Sequence, residues 1–104
     1  ASLANPAILS QNGVEVSICT DHPELPIQFL GISAGLAVRE GMDYDKALAA
    51  VTIVPARQAG VDSRVGSIQV GKDADLAFFD CDPLSLTAKP KLVLVDGKIV
   101  FSKM

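Results

Sequence analysis

Hydrophobic positions change their spacing twice along this 104-residue chain. Val14, Val16 and Ile18 alternate with Glu15, Ser17 and Cys19, the period-two pattern of a half-buried strand rich in β-branched residues. The run ends at Thr20-Asp21-His22-Pro23. Pro23 disfavours helix at His22, so a strand over residues 14–21 is expected to hand over to a loop at Asp21. Just upstream, Asn5-Pro6 followed by Ala7, Ile8 and Leu9 reads as an N-cap, a first-turn proline and helix formers, with Gly13 as the stop. A short helix leading into a strand is half of a parallel-sheet repeat.

The spacing then becomes helical. Ile27, Leu30, Ala34, Ala37 and Val38 share one face of a helix over residues 27–40, which Gly41 ends. Gly31 and Gly35, four apart, leave a face on which the helix backbone is expected to lie close to a sheet. Asp43 caps a second helix carrying Ala47, Leu48 and Val51, running to about Thr52. Pro55 opens a further turn through Arg57 and Gly60 closes it, so residues 52–57 read as a kink between two helical pieces. From Val61 onward, short apolar pieces separated by glycine and aspartate read as β structure. Residues 65–68 lead to a turn at Gly71-Lys72-Asp73, residues 76–80 read as a strand, and Asp82-Pro83 interrupts it before a polar linker over 83–90. Residues 92–95 and 98–101 flank Asp96-Gly97, the strongest hairpin signal in the chain, because both turn positions tolerate positive φ.

Composition narrows the functional classes. The chain is 49% hydrophobic and 20% charged with a net charge of −3, so no basic patch suggests nucleic acid, and a catalytic or small-molecule role fits better. No apolar run approaches the roughly 18 residues of a membrane span, and the first residues lack a signal-peptide layout. A cytoplasmic location is the resulting expectation. Cys19 and Cys81 are isolated and strand-flanked, and are expected to be buried, reduced thiols and not a disulfide or metal site. One modest core is what 104 residues can bury.

Several motifs offer chemistry. Gly31-Ile32-Ser33-Ala34-Gly35 fits the GxSxG pattern of a nucleophile elbow, but an elbow needs a strand before its serine and a histidine later in the chain. Here helical periodicity runs through Ser33, and the single histidine, His22, lies upstream. Gly66 and Gly71 lack the spacing of a phosphate loop. Asp73, Asp75, Asp80 and Asp82 lack the glycine and distal glutamate of a calcium loop and read as solvated turn carboxylates. Asp21 stands apart because it sits at a strand exit, where barrels of alternating strands and helices gather their catalytic groups, although an Asx turn or helix cap serves equally well there. One aspartate and one histidine fall short of the three protein ligands of a catalytic zinc.

Thr20-Asp21-His22-Pro23, the block from Ala34 through Gly41, Ala47-Leu48, Pro55-Ala56-Arg57, Gly66-Ser67-Ile68 and Gly71-Lys72-Asp73-Ala74-Asp75-Leu76 together resemble, in order and spacing, the C-terminal part of the amidohydrolase superfamily. Imidazolonepropionase-like members are the ones most resembled. The likeness covers nearly the whole chain. It implies an α/β fold: residues 1–60 as the C-terminal piece of a (β/α)8 barrel, with its last strand and flanking helices, and residues 61–104 as part of a small β-sandwich. It implies a metal-dependent hydrolase of non-peptide carbon-nitrogen bonds, of cyclic amide or amidine type. Asp21 matches the family's strand-eight aspartate, which binds or adjoins the metal and moves the proton of the attacking water. His22 is carried over as a substrate-pocket residue. The cofactor implied is a divalent metal, zinc, in the complete enzyme. The partners implied are the remainder of an amidohydrolase chain, a small-molecule substrate and further copies of the protein. A barrel takes roughly 250 residues, so this chain alone is expected to be inactive. The alternative is a non-catalytic assembly or binding module derived from the same C-terminus.

Overall fold

In a computed structural model, the structure describes residues 5–20 and 27–104. Helix α1 spans Asn5–Gln11, a 3-10 turn at Ile27–Phe29 leads into α2 (Leu30–Arg39), and α3 (Tyr44–Ala49) and α4 (Ile53–Gln58) follow. Three strands, β1 (Leu76–Phe78), β2 (Leu92–Val95) and β3 (Lys98–Ser102), complete the order.

Three of the four described α-helices stop in the same way. Gly13, Gly41 and Gly60 have φ of 82°, 110° and 75°, the left-handed region where an L side chain is strained. After α2, Gly41 N–H donates to Val38 O and Met42 N–H to Ala37 O. After α1 the same pair of bonds joins Gly13 to Ser10 and Val14 to Leu9, and after α4 it joins Gly60 to Arg57 and Val61 to Ala56. This is the Schellman arrangement, which satisfies carbonyls that the end of a helix leaves open. Asp43 caps α3 as expected, its carboxylate accepting from Lys46 N–H at 3.3 Å. The expected kink is a full break: α3 ends at Ala49 and Thr52 caps α4 from outside the helical region, with Pro55 in the first turn where its missing N–H costs nothing.

The core is built on small residues. Ala7, Ala34, Ala37, Ala47 and Ala50 are buried together with Met42 and Leu84, and Val16, Ile18, Val38, Leu48 and Val51 pack against them. Alanine lets α1, α2 and α3 approach closely.

The sheet is antiparallel, in the order β1-β2-β3. Asp96 and Gly97 both have positive φ, 52° and 75°, the type I′ turn whose twist suits a two-residue hairpin. Leu94 faces Ile99 and Val93 faces Phe101, so Val100 is the extra residue of a bulge. The turn is tied to the segment before β1: Asp96 N–H donates to Asp75 Oδ1 at 2.8 Å and Gly97 N–H to Ala74 O at 3.0 Å.

Four expectations change. The alternation of residues 14–20 survives, with Val16 and Ile18 half-buried, Thr20 buried, and Glu15, Ser17 and Cys19 exposed. Yet these residues join no β-ladder with any described residue; Ile18 N–H instead donates to Ala50 O at 2.9 Å. A ladder is made between strands, and the three strands present pair with one another. Both cysteines are exposed, not buried; Cys19 lies on the outward side of the alternation. Residues 65–68 form bent, irregular chain in place of a strand, with Ile68 87% exposed. Finally, the glycine face of α2 meets the segment after Asp82 and not the described sheet. A Cβ on Gly35 would collide with the carbonyl oxygen of Leu84, and one on Gly31 would lie 3.1 Å from that of Pro83. The supposed linker is thus a packed strap, and its Leu84 is a core residue only 6% exposed.

Candidate functional site

Asp21 and His22, the two residues on which catalysis was expected to rest, lie outside the described residues. Their flanks are described. Upstream, Thr20 is buried, after Ile18 and Val16 have packed on the alanine core. Downstream, the 3-10 turn feeds α2. Residues 21–26 thus fall between residues 14–20 and α2, which both pack on one core.

The GxSxG motif is helical. Ser33 lies inside α2 and its hydroxyl donates back to Phe29 O at 2.9 Å, the i to i−4 bond typical of serine within a helix. The serine lacks the strand-to-helix turn that exposes a nucleophile.

Each of the four aspartates between 73 and 82 has a structural partner. Asp73 pairs with Arg64 at 3.0 Å, Asp75 holds the hairpin turn, and Asp80 pairs with Lys91 at 3.6 Å. Asp82 Oδ1 accepts from Tyr44 Oη–H at 2.7 Å and from Leu84 N–H at 2.9 Å. Among the described residues no group of three His, Cys, Asp or Glu side chains is placed to hold a metal ion. No described helix is long and apolar enough to cross a membrane.

The Asp82 contact carries a pH signature. The tyrosine hydroxyl, and after it the Leu84 amide, hold the Asp82 carboxyl below the usual range, because both donate to the charged form. The same bond, then burial and the charges of Asp82 and Asp45, push the Tyr44 phenol up. The lowered carboxylate favours the folded state fully above its unfolded pKa of about 4, and that contribution disappears as pH falls through the folded value. The raised phenol favours folding below about 10 and its contribution disappears as pH rises through the folded value. Tyr44→Phe is therefore expected to lower the urea midpoint at pH 7, with the difference from wild type shrinking at both pH 3 and pH 11. A constant difference across that range would contradict the assignment.

A concavity of about 940 Å³ forms a trough between the helices and the sheet, with Leu30, Val51, Pro55, Val65, Leu76 and Phe79 among its walls. Its carboxylates, Asp73 and Asp75, are already engaged. Such a surface suits packing better than proton transfer. Neither this trough nor the Tyr44–Asp82 pair was expected from the sequence. The one available signal for the pair was Asp82-Pro83-Leu84 itself, since an aspartate accepting from the amide two residues on is a common turn device.

With this geometry in hand, likeness to known proteins becomes informative. The family model described as "Amidohydrolase family" matches residues 3–100. The Amidohydrolase tasK of Hapsidospora irregularis is 36% identical over 94 residues, 90% of this chain and 10% of that protein. Urease subunit alpha of Edwardsiella ictaluri is 47% identical over 57 residues, 55% of this chain and again 10% of the relative. A crystal structure of an amidohydrolase from Thermotoga maritima superposes with a TM-score of 0.91 at 33% identity, covering 98% of this chain and 27% of that one. The chain thus spans about a tenth of the curated relatives it matches. Matched along nearly its whole length by the family model and by a solved member's backbone, the chain belongs to the amidohydrolase family.

Proposed function

We propose that this chain is the C-terminal portion of a metal-dependent amidohydrolase that hydrolyses a non-peptide carbon-nitrogen bond, of cyclic amide or amidine type, in the manner of imidazolonepropionase-like members. The observation that supports this most is the near-complete superposition on an amidohydrolase of which the chain accounts for 27%. In this reading residues 1–60 close a (β/α)8 barrel, residues 14–21 are its last strand, and residues 61–104 are a share of a composite β-sandwich. The edges of β1 and β3, unpaired among the described residues, and the exposed Ile99, Val100 and Phe101 are where the remainder of the chain would add strands and cover apolar surface.

The reading includes a divalent cation, zinc, in the complete enzyme. The fit to this chain alone is poor, because the described residues hold no ligand cluster and a catalytic zinc takes three protein ligands. The residues of this chain left for chemistry are Asp21 and His22. A carboxylate at a strand exit can accept the proton of the attacking water and return it to the leaving nitrogen. His22, its neighbour, is assigned to the substrate side of the same pocket. The complete protein acts as a homo-oligomer in this reading, and the 104 residues alone are inactive.

A chimera tests this. The matching quarter of the Thermotoga amidohydrolase is replaced by this chain, and hydrolysis is assayed on a substrate the parent turns over. Turnover by the chimera, with none from the isolated chain, is the expected result. A folded, metal-loaded chimera without activity would favour the non-catalytic module.

A further inference from the structure

We infer that residues 82–84 form a latch that fixes the sheet to the helical layer, with the Tyr44–Asp82 hydrogen bond as its catch and Leu84 as its bolt. The inference is independent of any activity. Helices pack on helices and strands on strands in this molecule, whereas the described sheet and helices share little direct packing and the trough lies between them, closed at α4 by the segment that carries Gly66. The strap crosses that gap. Asp82 reaches α3 through Tyr44, 38 positions away in sequence. Its second acceptor bond, to Leu84 N–H, turns the backbone so that Leu84 enters the core. There the carbonyl of Leu84 lies against Gly35 of α2, where any side chain would hold the strap away, and the carbonyl of Pro83 lies against Gly31. From the strap the chain runs on into β2, with Lys91 N–H donating to Phe78 O at 2.7 Å where the sheet begins. Release of the strap would leave the three-stranded sheet intact as a unit but free to swing from α2.

Hydrogen-deuterium exchange on the full 104-residue chain tests this. Tyr44→Phe removes one hydroxyl from a partly exposed ring, so it leaves the core unaltered. It is expected to speed exchange about fivefold at residues 84–88 and at residues 31–37 of α2, with a clearly smaller change at the β2 and β3 amides. Leu84→Ala is expected to do the same more strongly. If Leu84→Ala fails to fold, the Tyr44→Phe pattern alone decides. Unchanged exchange in the strap and α2 overturns the latch, and so does equal acceleration in the hairpin, which would mean global destabilisation in place of release.

Discussion

Asp21→Asn in the complete enzyme is expected to lower kcat about a thousandfold, the middle of the range for a lost general base. Asparagine keeps the size and most hydrogen bonds of the aspartate but has no basic oxygen at neutral pH. The circular dichroism spectrum should match wild type, and the acidic limb of the pH-rate profile should vanish, because that limb reports protonation of the base. His22→Ala is the contrast: a pocket residue that only binds substrate is expected to raise KM and leave kcat within a few-fold. A kcat unchanged by Asp21→Asn would remove Asp21 from the chemistry and with it the proposed role of this chain in catalysis.

Gly35→Ala is expected to destabilise the protein by about 2–3 kcal/mol, against the rule for helix interiors. In an open helix the same change stabilises by up to about 1 kcal/mol, since glycine costs backbone entropy. Here the added Cβ meets the carbonyl oxygen of Leu84, a backbone atom with no rotamer by which to yield. The strap must lift, and Leu84, 6% exposed, gives up part of a burial whose loss on truncation to alanine costs about 2–5 kcal/mol. The steric term therefore wins. Gly31→Ala is the internal control, because its Cβ would sit 3.1 Å from Pro83 O, a fit relieved by a few tenths of an ångström and offset by the helix preference. Urea unfolding midpoints of the two variants should move apart; a stabilised Gly35→Ala would show that the strap does not bear on α2.

These cases show what the sequence reveals and what it hides. Helix ends and the hairpin were legible because their causes are local: a glycine at positive φ ends α1, α2 and α4, and Asp96-Gly97 sets a turn of two residues. Residues 14–20 kept their alternation without becoming a strand, since a ladder depends on a partner that the pattern does not contain. The tight approach at Gly31 and Gly35 was readable, but not its partner, because Leu84 sits in a polar stretch that reads as linker and its packing is fixed by Tyr44, far away in sequence. Burial of Cys19 and Cys81 was inferred from residue type, whereas exposure is set by what covers each residue. The family likeness was legible because it rests on the order of many short blocks, and the match over residues 3–100 agrees with it. The roles of Asp21 and His22 rest on that likeness alone.

The five buried alanines of the core also restrict how the molecule can change over time. Ala34, Ala47 and Ala50 have no exposed surface, and Ala7 and Ala37 have almost none, so a larger residue at any of them must push two helices apart while a polar one must find a partner. The alphabet open to these positions contracts to glycine, serine and alanine itself. Substitutions that keep this packing are thereby expected to fall on the loops and the exposed strand faces, outside the helical layer.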